Sequence, residues 1–507
     1  MRVLLVDVPD DLAQGLRNTL GEDVTIDDLA TDLLDPATTT GADHDVVVHA
    51  LGRGSTDEDR LLRSTLGTWN LLQAKVTGRY LQLSSMRLLD GYDDGWAVME
   101  HWLPRPATDA ATLACHLGEM AARDLTRSRG IDTRSLRLDE VVAPEVFAAG
   151  PVQPRWLHLD DAVAAIALAI TAELPTAGNP GSVTAPRMAS WEPFHVVRGG
   201  GRHRLGHLTR LGFTPRHPHP DDTPVRPPRR PERPAPITDL PRPERITVYG
   251  AGGPMGVATT DRLLDREFVR ATDKFDLTEL AGRPPQSVGA PVPHPMPAPH
   301  EFVTVDVTDG EQVRAAAVGS DCLVNVSVLR DDVPLAFRVN LLGAWHIMQA
   351  AIAEGVRRVV FTGPSLSIAP YPFGQWDRAL DGTQTLRGGD WVYLVTKMLG
   401  QEVTRLLAEE HGIAAPVLLW VGFTSAERIR SGGAATHPND FCVTWRDTGT
   451  AMQAAIDVAS LPEPSPVINI LAPSPTDRWT TDRARDLLGW EAADDLEPYW
   501  WDERATL

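Results

Sequence analysis

Tyr393 and Lys397 are the residues whose types and spacing point most directly to chemistry. They lie four positions apart in WVYLVTKMLG, in a chain of 507 residues with only 6 tyrosines and three lysines. On a helix, an i, i+4 pair shares one face. A nearby ammonium group stabilises a phenolate and lowers the tyrosine pKa from its usual value of about 10. The pair therefore predicts proton transfer to or from an alcohol or ketone. A structural tyrosine packed against a lysine stem is the alternative.

A glycine-rich segment, ITVYGAGGPMG, opens the second half of the chain and places Gly250, Gly253 and Gly256 between a predicted strand and a predicted helix. In such a loop the first glycine permits a tight turn and the second lets the backbone approach a pyrophosphate. The third lets helix and strand pack closely, and the helix N-terminus presents N–H groups to the anion. A glycine turn without a ligand is the alternative.

Asp273 ends the next predicted strand, where a carboxylate can bind the adenosine ribose and repel a 2′-phosphate. The glycine segment and this aspartate together predict NAD as the cofactor and disfavour NADP. Lys274, beside Asp273, weakens that preference.

The elements that must position these residues alternate along the chain. Amphipathic helical stretches separate short strand-like runs: ITVYG, FVRATD, FVTVDV, CLVNVSV, RVVFTG and VLLWVGF. Such alternation is typical of βαβ units in a parallel, doubly wound sheet. KMLGQEVTRLLAEEHG predicts that the Tyr/Lys helix ends at Gly412. The proline-rich stretch PPQSVGAPVPHPMPAPH, between the second and third strands, predicts a surface loop.

The two halves of the sequence resemble each other. LGTWNLLQA precedes RYLQLSS as LGAWHIMQA precedes RVVFTG, and HLGEMAARDLTRSRGIDTRSLRL matches KMLGQEVTRLLAEEHGIAAPVLLW. We interpret this as a tandem duplication: two Rossmann-like doubly wound parallel-sheet domains (α/β), each with a small C-terminal substrate subdomain. The predicted domains are 1–215 and 245–507. The Pro/Arg-rich stretch 216–244 predicts a linker, with an SH3-type ligand as the alternative.

The first half lacks the chemistry of the second. Aligning its first strand with ITVYG puts Asp7, Asp10 and Ala13 where the three glycines stand. Carboxylates beside a pyrophosphate repel it, so the first half is not expected to bind a dinucleotide in the usual way. Aligning the helices places Ala111 and Cys115 at the positions of the tyrosine and the lysine. A buried structural cysteine is favoured over a new nucleophile.

Composition excludes several classes of protein. A net charge of −20 argues against nucleic-acid and anionic-membrane partners. Three scattered cysteines are too few for a disulfide framework or a zinc site, and no metal is expected. No apolar run reaches the length of a membrane span, and the N-terminus does not read as a signal peptide, so a cytoplasmic location is expected.

From Arg245 to about Glu491 the chain resembles the extended short-chain dehydrogenases/reductases of the NAD-dependent epimerase/dehydratase family. GAGGPMG resembles the cofactor loop of that family, VTVDVTD its third strand, NLLGAWHIMQAA its N-x-x-G helix and YLVTK its catalytic helix. The resemblance implies that Tyr393 is the acid/base and that Lys397 holds the nicotinamide ribose and lowers the tyrosine pKa. It also implies that Asp306, with Val307, contacts the adenine.

The resemblance further implies a Ser or Thr that orients the substrate hydroxyl. In VFTGPSLSIAP this is Ser365, with Ser367 and Thr362 as alternatives. The chain departs from the family pattern here, with Gly363-Pro364 in place of a serine pair. After the fourth strand, NVSV with Asn325 replaces a histidine-containing segment.

The resemblance also narrows the reaction. No carboxylate accompanies Ser365, so dehydration is disfavoured, and a short segment before the WRD at Asp447 implies a substrate smaller than a nucleotide sugar. That segment and VTWRD resemble uronate dehydrogenases. The predicted protein is an NAD-dependent oxidoreductase or epimerase for a sugar-like hydroxy compound. Its halves are expected to form an intramolecular pseudo-dimer in which the first is a degenerate scaffold. A non-catalytic NAD(H)-binding protein is the alternative.

Overall fold

The computed structural model forms two compact units, Met1–Glu232 and Arg233–Leu507. The residues that it describes are 1–29, 31–39, 44–74, 76–92, 96–173, 191–218, 234–369, 379–430, 441–474, 476 and 478–496.

Unit 1 is built on a six-stranded sheet in the order β2-β1-β3-β4-β5-β8, with every neighbouring pair parallel. Strands β6 and β7 form a separate two-stranded parallel sheet. Its elements are β1 (Arg2–Val6), α1 (Asp10–Leu20), β2 (Thr25–Asp28), α2 (Pro36–Thr39), β3 (His44–Ala50), α3 (Asp57–Gln73), β4 (Val76–Ser85), α4 (Ala110–Arg129), β5 (Asp132–Leu138), β6 (Glu140–Val142), α5 (Pro144–Ala148), β7 (Trp156–His158), α6 (Leu159–Thr171), β8 (Trp191–Val196) and α7 (His207–Arg210).

Unit 2 is built on a seven-stranded parallel sheet in the order β11-β10-β9-β12-β13-β14-β17. Strands β15 and β16 form a second small parallel sheet. Its elements are β9 (Arg245–Tyr249), α8 (Pro254–Asp261), β10 (Phe268–Asp273), α9 (Leu277–Ala281), β11 (Glu301–Thr304), α10 (Gly310–Ala317), β12 (Cys322–Asn325), α11 (Val333–Ala336), α12 (Gly343–Glu354), β13 (Val359–Pro364), α13 (Val392–His411), β14 (Val417–Trp420), β15 (Gly422–Thr424), α14 (Ala426–Arg430), β16 (Cys442–Thr444), α15 (Trp445–Asp457), β17 (Val467–Asn469) and α16 (Asp482–Leu488). A π-helical turn, Phe337–Leu342, joins α11 to α12.

The central strands of unit 2 are buried on both faces. Every residue of β12, β13 and β14 is buried, and all three strands are rich in β-branched and aliphatic side chains. Continuous burial is what a parallel sheet covered by helices on both sides requires. The predicted parallel α/β fold with Rossmann-like sheets is confirmed.

The strand order has a functional consequence. Strand β9 has β10 on one side and β12 on the other, so the chain reverses direction across the sheet after β11. The carboxyl ends of β9 and β12 therefore form a topological switch point, where doubly wound sheets bind their ligands. In unit 1 the corresponding reversal lies between β1 and β3.

The end of the predicted linker packs into unit 2. Ile237 exchanges two backbone hydrogen bonds with Leu461, at 2.9 and 2.8 Å, and Leu240 donates its N–H to the carbonyl of Ala459. Ile237 and Leu240 are buried. The boundary between the compact units lies within the stretch 216–244, but the last residues of that stretch are part of the second unit.

All three cysteines are buried and free of disulfide bonds. Within the described part of the chain, no helix is long and apolar enough to cross a membrane. No cluster of three or more potential metal ligands occurs among those residues.

Candidate active site

A cavity of 1210 Å³ opens at the carboxyl ends of the strands of unit 2. Its wall includes Gly250 after β9, Asp273 at the end of β10, Val326 after β12 and Trp420 at the end of β14. All six residues predicted to bind the cofactor line this cavity, and so do Tyr393 and Lys397.

The three glycines have the geometries that their predicted roles require. Gly250 has φ +84°, and a Cβ there would lie 2.7 Å from the backbone of Ser327. A Cβ on Gly256 would lie 2.4 Å from the Cα of Ala251, so this glycine lets α8 approach β9 closely. A Cβ on Gly253 would meet its nearest neighbour only at 3.7 Å, which leaves the backbone open to the cavity. The loop fits a bound dinucleotide.

Asp273 is held by the loop that it faces. One carboxylate oxygen accepts the N–H of Gly252 at 3.0 Å and the other accepts the N–H of Phe275 at 3.2 Å. Burial raises the pKa of Asp273, and these N–H groups and the Arg283 guanidinium oppose that shift. Sequence reasoning missed Gly252, whose contact with Asp273 depends on how the loop folds back onto β10.

Asp306 and Val307 follow the end of β11. Asp306 accepts hydrogen bonds from the backbone N–H and hydroxyl of Thr308, at 2.9 and 2.8 Å. The carbonyl of the buried Val307 accepts from Nδ1 of His346 at 2.9 Å. Hydrogen bonds with Thr308 and His346 thus hold both residues in place in the cavity wall.

The proline-rich segment between β10 and β11 forms part of the cavity wall. Its residues in that wall are Pro284, Pro285, Gln286, Ser287, Pro291, Val292 and Pro293. The hydroxyl of Ser425 donates to the carbonyl of Val288 at 3.0 Å and attaches the segment to the region after β15. Val288 and Val292 remain 55% and 50% exposed, so this predicted surface loop is also a wall of the site.

Helix α13 carries Tyr393 and Lys397 into the cavity. It begins at Val392 and ends at His411, and Gly412 caps it with φ +62°. The predicted helix end is confirmed. The rings of Tyr393 and Trp391 make an edge contact with centroids 5.2 Å apart.

Lys397 is buried, with 3% of its surface exposed. Its Nζ donates a long hydrogen bond of 3.4 Å to the carbonyl of Ser327 and lies 4.5 Å from the ring centroid of Phe361. Burial lowers the pKa of Lys397 to about 7, and the positive charge of Arg330 adds to the shift.

Arg330 is a residue of this site that sequence reasoning missed. Its Cζ lies over the ring of Tyr393, 5.2 Å from the centroid, and it lines the same cavity. Burial raises the pKa of Tyr393, and the Arg330 guanidinium opposes that shift. The available sequence signal was a cation soon after β12, at the sheet edge where Gly250 lies.

The hydroxyl groups after β13 differ in their surroundings. Thr362 lines the cavity and donates to the carbonyl of Asn325 at 3.0 Å. Ser365 is fully buried, and its hydroxyl has no hydrogen-bond partner among the described residues. Ser367, also buried, donates to the carbonyl of Pro364. Ser365 remains the predicted substrate-orienting residue, and Thr362 is the alternative in the cavity wall.

Unit 1 has a different structure at the place of the glycine loop. Asp7 follows β1 with φ +55°, so it adopts the same left-handed turn as Gly250. Its carboxylate makes two hydrogen bonds with the guanidinium of Arg63. An ion pair thus lies where unit 2 has an open glycine backbone, while Asp10 begins α1 and Ala13 is buried.

Helix α4 of unit 1 has the same length and type of end as α13. It spans Ala110–Arg129 and is capped by Gly130 with φ +76°. Ala111 and Cys115 are thus the second and sixth residues of the helix, as Tyr393 and Lys397 are in α13. Burial raises the pKa of the Cys115 thiol to about 12, so it is not an activated nucleophile.

Comparison with known proteins agrees with this geometry. Residues 246–424 match the model of the NAD dependent epimerase/dehydratase family. The uronate dehydrogenase of Agrobacterium fabrum is 24% identical over 209 residues, which cover 39% of this chain and 71% of that protein. The uronate dehydrogenase of Pseudomonas putida is 25% identical over 174 residues, which cover 33% of this chain and 57% of that protein.

A solved structure of uronate dehydrogenase from Agrobacterium tumefaciens is 21% identical, covers 50% of this chain and 86% of its own, and has a TM-score of 0.41.

The fold and the site define a Rossmann-like domain of the dinucleotide-binding type. The stretch that matches the model of the NAD dependent epimerase/dehydratase family includes the glycine loop, Asp273, Tyr393 and Lys397. The family name includes NAD, the cofactor predicted from the glycine loop and Asp273, and the domain is of the NAD-dependent oxidoreductase/epimerase type.

Proposed function

We propose that unit 2 is an NAD-dependent dehydrogenase that oxidises a secondary alcohol group of a sugar acid. The observation that carries this proposal is that Tyr393 and Lys397 line one cavity together with the glycine loop and Asp273. An acid/base pair and a dinucleotide-type loop at one switch point are what hydride transfer requires.

Different residues of unit 2 would bind different parts of the cofactor. Bound NAD would supply the nicotinamide that takes the hydride. Its pyrophosphate would lie against the open backbone at Gly253, and Asp273 would bind the adenosine ribose. Lys397 would hold the nicotinamide ribose at the buried end of the cavity.

Tyr393 would accept the proton of the substrate hydroxyl as the alcohol becomes a ketone. A hydroxyl group, from Ser365 or Thr362, would orient that alcohol. The net change at the protein is one proton gained by the Tyr393 oxygen.

The substrate class follows from charge and similarity. The charged residues in the wall are Lys274, Arg283, Arg330, Lys397 and Arg428 on the positive side, against Asp273 and Asp306. This excess of cations in a chain of net charge −20 favours anionic ligands. Two relatives are uronate dehydrogenases, which supports a sugar acid over a neutral sugar. An epimerase would use the same residues and return its hydride within one cycle.

The test is a panel of sugar acids, neutral sugars and sugar nucleotides with NAD and with NADP, followed by nicotinamide absorbance. We expect NAD-dependent oxidation of a sugar acid by the parent protein, and a loss of at least about 1000-fold in kcat for Tyr393→Phe. The affinity for NAD, measured by calorimetry, should change little.

Turnover that survives in Tyr393→Phe would contradict this mechanism. Tight NAD binding with no turnover on any member of the panel would favour the non-catalytic alternative, a scaffold or sensor.

For the first half we propose a degenerate copy that acts as a scaffold in an intramolecular pseudo-dimer. The shared strand order, the equal lengths of α4 and α13, and the loss of the glycine loop and of the Tyr/Lys pair support a copy without its own chemistry. Light scattering of the full chain should give the mass of one chain in solution. A stable homodimer would contradict the pseudo-dimer.

A further inference from the structure

A positive charge from the loop after β12 lies over the ring of Tyr393. The guanidinium of Arg330 lies over the ring at 5.2 Å from its centroid, within the range of a cation–π contact. Among the described residues, no carboxylate lies within ion-pair distance of Arg330. Its charge is therefore not neutralised by a neighbouring carboxylate of this part of the chain.

The ammonium group of Lys397 contacts groups other than the Tyr393 hydroxyl. Its Nζ contacts the carbonyl of Ser327 and the face of the Phe361 ring, and it makes no hydrogen bond to Tyr393. Burial also lowers its pKa to about 7, so near neutral pH its positive charge is only partly present. A guanidinium stays charged throughout this range.

Among the described residues, the influences that shift the pKa of Tyr393 are its burial and the charge of Arg330. The 3₁₀ turn after β13 contributes Ser365 and Ser367, and the residue before α13 is Trp391. On the loop after β12, the carboxylate of Asp332 accepts the N–H of Leu335. Within the described residues, Arg330 is the charged group whose field acts on Tyr393.

We propose that Arg330 is a positioning residue for catalysis, which supplies the positive charge that stabilises the Tyr393 phenolate. The acid/base group would then be tuned from the loop at the end of β12, and Lys397 would mainly hold the cofactor. This inference rests on the proposed role of Tyr393 as proton acceptor. When the substrate O–H bond breaks, its proton goes to the Tyr393 oxygen, and Arg330 exchanges no proton.

The first experiment titrates Tyr393 directly, without any substrate. The difference in phenolate absorbance between each protein and its Tyr393→Phe counterpart reports this one tyrosine. We expect Arg330→Gln to raise the pKa of Tyr393 by about 1 unit or more, and Arg330→Lys to restore part of the shift. The control is Arg314→Gln, which removes a surface pair with Glu354 and should change nothing.

The second experiment measures kcat against pH in the oxidation direction. In Arg330→Gln, the limb where kcat rises with pH should move to higher pH by the same amount as the pKa of Tyr393. At pH values below that pKa, kcat should fall about tenfold for each unit of the shift, and alkaline pH should restore it.

An unchanged Tyr393 pKa in folded Arg330→Gln, or a larger shift in Lys397→Met than in Arg330→Gln, would overturn the proposal. If Arg330→Gln does not fold, Arg330→Lys carries the test, because lysine keeps the positive charge. A Tyr393 pKa raised by about 1 unit or more in folded Arg330→Lys would then overturn the proposal. A parent protein without turnover would instead count against the proposed function, because the absorbance titration does not depend on activity.

Discussion

At the scale of single residues, burial of the Lys397 ammonium lowers the free energy of unfolding by an amount that can be measured. Its pKa is lowered to about 7 in the folded chain, against about 10.4 when unfolded. Between these values the unfolded chain binds more protons, so stability rises with pH, and below about pH 7 the full penalty is present.

Lys397→Met should therefore raise the free energy of unfolding, by on the order of 2–4 kcal/mol at pH 7 and below, with a gain that fades toward about pH 10. Urea denaturation at several pH values measures this. A gain independent of pH would show that the ammonium is not what burial penalises.

The residues whose predicted roles depend on local spacing could be picked out from the sequence, whereas Gly252 and Arg330, whose contacts depend on tertiary approach, could not. The i, i+4 pair on α13 and the glycines after β9 could be predicted because helix geometry and a strand–turn–helix motif fix them. Arg330 contacts Tyr393 across a separation of 63 positions, brought about by neighbouring strand ends. Nothing in its local sequence encodes that contact.

At the scale of elements, the close approach of α8 to β9 depends on Gly256. A Cβ there would meet the backbone of Ala251 and the carbonyl of Gly250, neither of which can rotate away.

Gly256→Ala should displace the start of α8, weaken NAD binding by at least about tenfold and cost about 1–3 kcal/mol of stability. Calorimetry and thermal unfolding measure the two effects. Gly282→Ala is the matched control, because its Cβ would find its nearest neighbour at an ordinary 3.5 Å. Equal NAD affinity in the two variants would contradict the role given to this glycine.

The parallel sheets were predictable because continuous apolar runs alternate with helical stretches along the chain. The proline-rich segment was predicted only as a surface loop. In the cavity wall it accepts, at the carbonyl of Val288, a hydrogen bond from Ser425, 137 positions later, and local propensity does not reveal such a contact.

At the scale of the whole molecule, the two units have related sheets and different loops at their switch points. Because the Asp7–Arg63 pair stands in place of the open glycine backbone, we expect one dinucleotide site per chain. Titration calorimetry of the full chain with NAD should give a stoichiometry of one. Gly256→Ala should weaken that single site and reveal no second one. A stoichiometry of two would show that unit 1 binds dinucleotides despite its carboxylates.

The proline content of the wall between β10 and β11 bears on the entropy of binding. Pro284, Pro285, Pro291 and Pro293 each fix a backbone φ angle before any ligand arrives. A glycine-rich wall of equal length would lose conformational freedom when a ligand ordered it, and affinity would fall by that amount. Here most of that ordering has already been achieved during folding, so the wall can stay partly exposed to solvent and still be preorganised for its ligand.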